Sequence, residues 1–410
     1  MSNPRETSKA VDLILSTQGI RSQARKIYDA ALKGGTHFEV HEDKLDTVAE
    51  FVNQVILKAY PQGDIPFHAR WGHLLADGGE RALRLRGVLA HLTDEQRLRS
   101  HLELVLISVL VDAGAGPKWS YSAKQDDKTI VLNRSEGLAI ASFELFSSGK
   151  LSSHATHSLQ VDHQGLMNLC DESFRKIFQV DDERNPLPGW RSRVALLRKL
   201  GHLLGPSSEK SPIRLSSLFD DFLDISQPVD AQELLWVVLR RLGPIWPSRL
   251  TLDGVPLGDV WHYRPFGSDL NETSAVPFHK LSQWLTYSLL DRFVAEGCSI
   301  THLDQLTGLA EYRNGGLFID QGVLSLRDTS LLEVAHPPSS EFIIEWRALT
   351  IVLLDKIAES IRTLRNKDAH ALPLVKILEG GTWRAGRIAA KEKRDDGAPP
   401  IRIESDGTVF

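Results

Sequence analysis

Cysteine is scarce. The two in 410 residues, Cys170 and Cys298, cannot build a disulfide framework or a four-thiolate zinc site, and the opening MSNPRETSKA lacks the apolar core of a secretory signal. A reducing, cytoplasmic setting is the expectation. Cationic excess is missing as well, since the formal net charge is −5 and broad phosphate-backbone binding needs a basic stripe. No nucleic-acid partner is expected. Long apolar runs are lacking too: LELVLISVLVDAG at 102–114 is interrupted by Glu103 and Ser108 and falls short of the about 20 residues a bilayer span takes. It reads as a buried helix, and no membrane partner is expected. The glycines of DAGAG follow no strand and lack the phosphate-loop pattern, no G-x-S-x-G elbow occurs, and His68 and His73 are five apart where a helical metal pair needs four. No nucleoside-triphosphate site, metal or cofactor follows from these motifs.

What is present is ordinary globular material, 42% hydrophobic and 25% charged, enough for one large core or two moderate ones. Apolar residues at three- and four-residue spacing, such as Val48, Phe51, Val52, Val55 and Ile56, predict amphipathic helices over 5–33 and 43–59. Thr93 and Gln96 form a capping box before a helix over 94–112. Further helices are expected at 134–148, 163–178, 190–204, 229–242, 277–296, 302–312, 340–365 and 370–379. Strands are minor pieces: KTIVL at 128–132, GLFID at 316–320 and IRIES at 401–405. The fold class is therefore mainly α, multi-helical with a few short strands. Ser-rich stretches at 148–158 and 203–212 suggest an N-terminal helical half, 1–205, and a C-terminal half, 206–410, packed as one unit, with the chemistry in the second.

Two regions of that second half draw attention. In LDQLTGLAEYRNGG (303–316), a continuous helix would put Asp304 and Glu311, seven residues apart, on one side, with Leu303, Leu306, Leu309 and Ala310 on the other. The same spacing also fits a solvated face. Glu311 differs in abutting Tyr312, Arg313 and a Gly315-Gly316 turn, where a carboxylate can be fixed and desolvated. Upstream, TLDGVPLGDVWHYRPFG (251–267) carries Asp253, Asp259 and His262 among Trp261 and Tyr263, suited to sugar hydroxyls or to a structural loop. VPFHKLSQWLTYSLLDRF (276–293) opens a helix with His279, Lys280 and Gln283, a place where free backbone donors and cations suit an anion such as a phosphomonoester. His68 and Trp71 in PFHARWGHLLADG are further binding candidates.

The combination of PFHARWGHLLADG, SVLVDAGAGPKWSY, RSEGLAIASFELFSSG, TLDGVPLGDVWHY, VPFHKLSQWLTYSLL, LDQLTGLAEYRNGGLFID, EWRALT, GGTWRAGR and DGTVF resembles the fungal and bacterial uracil-catabolism protein family over nearly the whole chain. The resemblance implies a role in a reductase-independent route that degrades uracil through a ribosylated intermediate and releases urea. HKLSQ, LTGLAEYR and EWRAL are similar, in that order, to the Lys-x-x-Gln, Ala-Asp-Tyr-Arg and Glu-x-Arg-Ala patterns of the queuosine-phosphate nucleosidases, whose helical fold is akin to DNA glycosylases. That second likeness implies a catalytic role for Glu311, where those enzymes have aspartate. It implies framework or pocket roles for Lys280, Gln283, Tyr312, Arg313, Glu345 and Arg347.

The chemistry so implied is metal-independent hydrolysis of an N-glycosidic bond. A carboxylate there stabilises an oxocarbenium-like state or activates water. N-ribosylurea or its 5-phosphate is the expected substrate, with Glu311 as stabiliser or base, Asp304 as a supporting acid, Asp259 on ribose hydroxyls or water, and His279 with Lys280 on the phosphate. Urea leaves poorly unless protonated, so a general acid is also required. The competing reading is a non-catalytic helical scaffold that associates with other uracil-pathway enzymes. A nucleic-acid-processing role, suggested by the glycosylase likeness, is disfavoured by charge.

Overall fold

The computed structural model describes residues 8–125, 128–154, 157–205, 213–246 and 250–404. Among these, sixteen α-helices carry the architecture, and the strands form only two-stranded pairs. The chain is mainly α. None of its helices, among the described residues, is long and apolar enough to cross a membrane.

Two compact units emerge, and they are not the two halves of the sequence. The first is assembled from three segments, 1–68, 248–284 and 302–410, and the second from 69–247 and 285–301. Proximity in sequence does not dictate which helices share a core. In the first unit that core is built on the helix Glu341–Leu364, which has 16 buried residues, from Phe342 to Ile361. Its N-cap Ser340 accepts a bond from the Ile343 N–H and so satisfies a donor that helix geometry leaves free. The helices Thr17–Leu32, Leu45–Ala59 and Tyr312–Asp320 pack on it, and Trp383–Lys393 packs on Tyr312–Asp320 in turn. The expected helix over 5–33 is two helices, Lys9–Ile14 and Thr17–Leu32, because Ser16 caps a new start and accepts from the Gly19 N–H at 3.0 Å.

In the second unit, Thr93 and Gln96 form both bonds of the capping box, and Asp94–Leu110 follows as a helix with 12 buried residues. The Glu103 that interrupts its apolar run is buried and accepts from Arg214 Nε and Nη2, each at 2.9 Å, from Ser216 Oγ at 2.7 Å and from the Val161 N–H at 2.9 Å. A buried carboxylate must be saturated with donors, and this one is. The expected strand 128–132 is Lys128–Asn133, paired antiparallel with Ser120–Gln125, where no strand was expected, and the helix Arg134–Ser147 matches the expected 134–148. The expected helix 163–178 is broken at Leu169, where ψ is 112°, into His163–Asn168 and Asp171–Ile177.

Two expectations in the 302–320 region fail together. Residues Leu303–Gln305 form only a 3₁₀ turn, Leu306 to Ala310 are buried and non-helical, and the helix is Tyr312–Asp320, where a strand GLFID had been expected. Tertiary contacts override the helical spacing. The Thr307 N–H donates to Gln283 Oε1 at 3.1 Å and Gln283 Nε2 donates to Thr307 Oγ1. At Gly308 a β-carbon would stand 2.6 Å from the Leu354 side chain, so the segment lies flat on the long helix. Gly315 and Gly316 make no turn. They sit inside the helix, and a β-carbon on Gly315 would meet Trp346 and Thr350 at 2.8 Å.

Candidate active site

Glu311 is the N-cap of the Tyr312–Asp320 helix, with extended backbone at φ −116° and ψ 163°. Its side chain reaches back over the first turn, where Oε2 accepts from the Arg313 N–H at 2.8 Å and Oε1 from the Asn314 N–H at 2.5 Å. Both oxygens therefore have fixed positions. The residue is only 8% exposed. Burial pushes its carboxyl above the usual carboxylate range, against the pull of those two N–H groups and of the nearby Lys280 and His68. A carboxyl in this setting is a stronger base than one in water.

The Asn314 side chain extends the anchoring. Its Nδ2 donates to the Leu309 carbonyl at 3.1 Å, and its Oδ1 accepts from Thr382 Oγ1 at 2.9 Å. Thr382 closes the π-helical segment Leu378–Thr382, a geometry that often marks functional positions. The same segment holds Glu379, whose Oε2 lies 2.8 Å from His68 Nδ1 and whose Oε1 accepts from Tyr60 OH at 3.2 Å and Arg384 Nη2 at 3.1 Å. One stretch of backbone thus ties His68 on one side and the Glu311 cap on the other. Burial would raise the Glu379 carboxyl, but the bond to His68, the charges of His68 and Arg384 and the bond to Arg384 outweigh it and hold it at about 2. Trp383 packs its ring 5.8 Å from that of His68.

Asp259 and Arg347 form a second, neighbouring network. Arg347 donates through Nη1 and Nη2 to the two carboxylate oxygens, each at 2.8 Å, and Asp259 also accepts from Trp261 Nε1 at 2.8 Å and the Lys280 N–H at 3.1 Å. Burial favours the neutral acid, yet the Arg347 charge and these bonds hold Asp259 far below the usual carboxylate range. The expectation that Asp259 holds ribose hydroxyls is corrected: four internal donors use its acceptor capacity. Arg347 also donates from Nε to the Ala310 carbonyl at 3.3 Å and so fixes the residue before Glu311. Glu345 accepts from His37 and from Tyr263 OH at 2.8 Å each. It is framework, as is Gln283.

The remaining expected residues scatter. His279 is buried in the left-handed region, at φ 48°, and its Nε2–H donates to the Ile14 carbonyl at 3.0 Å. Burial lowers its basicity. A neutral, internally bonded imidazole cannot hold a phosphate, so that expectation is corrected and only Lys280 remains for the role. Asp304 is exposed on the 3₁₀ turn, bonded to Gln305 Nε2 at 3.1 Å, and no shared helix face joins it to Glu311. His262 donates from Nε2 to the Gly267 carbonyl at 2.9 Å. Trp71 belongs to the second unit, with the Arg292 guanidinium 3.8 Å above its ring. Arg313 bonds the Gly397 carbonyl at 2.7 Å and lies over the Tyr312 ring at 5.1 Å. Lys280 and His68 lie near enough to Glu311 to act on its charge, and bonds link His68 to Glu379, Tyr60 and Arg384 and Glu311 to Asn314 and Thr382. No spacing signal pointed to those five partners, although GGTWRAGR contains Thr382 and Arg384.

The sequence is similar to those of known proteins. Residues 13–410 match the family described as "Protein of unknown function (DUF1688)". The chain is 38% identical to Protein urg3 of Schizosaccharomyces pombe over 413 residues, covering 98% of this chain and all of that protein. It is 35% identical to Uracil catabolism protein 4 of Lachancea kluyveri over 441 residues, covering 98% of this chain and 99% of the relative.

Proposed function

The chain belongs to the DUF1688 family, and on that premise we propose that it acts in uracil catabolism, the process for which one relative is named, by hydrolysing the N-glycosidic bond of a ribosylurea or ribosylurea 5-phosphate. The products are urea and ribose or ribose 5-phosphate. The observation that carries this reading is Glu311, a nearly buried carboxylate whose two oxygens are fixed by the first turn of a helix and whose basicity is raised by burial. That combination suits a base that must accept a proton from water as the water adds to the anomeric carbon.

Lys280, the nearby cation, supplies charge for a 5-phosphate and moderates the Glu311 carboxylate. Asn314 and Thr382 keep the cap in register, and Gln283 and Arg347 hold the non-helical segment that delivers it. A fixed geometry matters because misplacing a reacting group by about 1 Å costs about a hundredfold in rate.

Release of urea from N-ribosylurea, N-ribosylurea 5-phosphate and uridine monophosphate tests the reading, with Glu311→Gln beside the unaltered protein. Turnover of one ribosylurea that falls by about 10²–10⁴ in the variant is the expected result. No release from any of the three by the folded, unaltered protein would sink it and favour the scaffold.

A further inference from the structure

Hydrolysis of a ribosylurea needs an acid as well as a base, because the urea anion is a poor leaving group. We infer that His68, held by Glu379, is that general acid, and that the Glu379–Tyr60–Arg384 cluster exists to orient it. The inference rests on the hydrolase reading above and names the half of the chemistry that Glu311 cannot perform alone.

His68 closes the first chain segment of its unit and is 6% exposed. Its backbone is fixed by an N–H bond to the Val375 carbonyl at 3.1 Å, and its ring by the Nδ1 contact with Glu379 at 2.8 Å. A carboxylate accepts only, so Nδ1 must be the protonated nitrogen in that contact. Nε2 is then left to exchange a proton with a substrate, and it has no bonding partner among the described residues. Glu379 is itself locked, because Oε1 takes bonds from Tyr60 and Arg384 and Arg384 also donates to Tyr60 OH at 3.1 Å. Two groups hold the carboxylate that holds the imidazole, which is how a hydrogen-bonded partner selects tautomer and orientation in a histidine catalyst.

The charged groups near His68 are Glu379 and Arg384 from the π-helical segment and the helix that follows it, and Glu311, whose charge His68 influences. Glu379 and Arg384 are paired with each other through the Oε1–Nη2 bond at 3.1 Å. The base and the acid are also mechanically linked. Glu379 and Thr382 sit on the same π-helical segment, and Thr382 bonds the Asn314 whose N–H caps Glu311.

The step balances as follows. Imidazolium Nε2–H gives its proton to the ureido group, the C1′–N bond breaks with its electron pair going to nitrogen, and neutral urea departs. Water adds its oxygen to C1′ and passes a proton to Glu311. His68 ends neutral and Glu311 protonated, and transfer of that proton back to His68 through solvent restores the site.

A leaving group that needs no protonation separates an acid from a merely structural histidine. The test compares N-ribosylurea 5-phosphate with 4-nitrophenyl β-D-ribofuranoside 5-phosphate in the unaltered full chain, His68→Gln, Glu379→Gln and Glu311→Gln. Glutamine at 68 can still donate to Glu379, which favours retention of the fold. His68→Gln is expected to lose about a hundredfold on the ribosylurea and to stay within about threefold on the nitrophenyl riboside. Glu379→Gln, a positioning variant, shows the same split at about tenfold, and Glu311→Gln loses both substrates. In ¹⁵N-resolved spectra of the histidine ring, the unaltered protein shows His68 protonated on Nδ1 and Glu379→Gln loses that preference. An equal fall on both substrates in His68→Gln, or an undiminished ribosylurea rate, overturns the assignment while Glu311 and the hydrolase reading stand. Failure of the unaltered protein to cleave either substrate overturns both.

Discussion

Replacing Arg347 with methionine asks whether Asp259 is framework or substrate holder. The substitution keeps a long apolar stem in a site that is 1% exposed, but it takes away two of the four donors on Asp259 and the bond to the Ala310 carbonyl. Removing one member of a buried pair strands the other charge, at a cost of about 3–5 kcal/mol. Most of that cost is the stranded carboxylate, so Asp259→Asn added to Arg347→Met should recover about 1 kcal/mol or more relative to Arg347→Met alone, because the amide oxygen still serves Trp261 or the Lys280 N–H. The sign with pH follows. In the unaltered protein the Asp259 carboxyl lies below its ordinary value, so its contribution is complete above the ordinary aspartate range near pH 4 and is lost only as pH falls through the lower, folded value. Without Arg347 the carboxyl is raised by burial, and the gap between variant and unaltered protein narrows as pH falls from about 7 to about 4. Urea denaturation followed by tryptophan fluorescence reads all of this, since Trp261 bonds Asp259 directly. The reasoning is refuted by a loss under about 1 kcal/mol for Arg347→Met, with Asp259→Asn raising KM and leaving stability unchanged.

Three further outcomes are expected. Gly386→Ala puts a β-carbon 2.2 Å from the Arg313 carbonyl oxygen, so the capped end of the Glu311 helix must move; stability falls by about 1–3 kcal/mol and urea release by about a hundredfold, measured side by side on one preparation. Thr93→Ala removes one half of a complete capping box in the second unit and should lower stability by about 1 kcal/mol without touching turnover, so a large kinetic effect would contradict the placement of the site. Glu379 is held at about 2, below its ordinary value near 4.3, so its stabilisation is complete above that ordinary value and drains away as pH falls toward about 2. Acid titration of Glu379→Gln should show a flatter stability curve in that window, and an unchanged curve would mean that the carboxylate contributes nothing to the fold.

The helices of this protein were legible because their signals are local. Thr93 and Gln96 sit three residues apart and need no partner from elsewhere, and the helix Trp190–Leu204 coincides with its apolar period. The segment around Glu311 was misread for the opposite reason. Its apolar spacing is helical, but Gln283, some twenty residues upstream in sequence, bonds Thr307 and flattens the chain against Leu354. Glycine carried a second ambiguity: Gly315 and Gly316 look like a turn, yet their purpose is close helix packing. The fixing of Glu311 was legible in altered form, since a carboxylate beside a helix boundary is held by that boundary. Glu379 stayed invisible because its partners, Tyr60 and His68, lie more than 300 residues away in the chain.

The first unit is written in three instalments, and its site draws on each: His68 ends the first, Lys280 falls in the second, Glu311 and Glu379 in the third. A ribosome emits the whole of 69–247 before Lys280 appears, and a polypeptide released before Glu379 carries His68 without the carboxylate that bonds its ring. The candidate site is therefore assembled late in the life of each nascent chain. Loss of the last thirty-odd residues takes Glu379 and the helix Trp383–Lys393 with it, so a partly made copy lacks the contacts that hold the His68 ring.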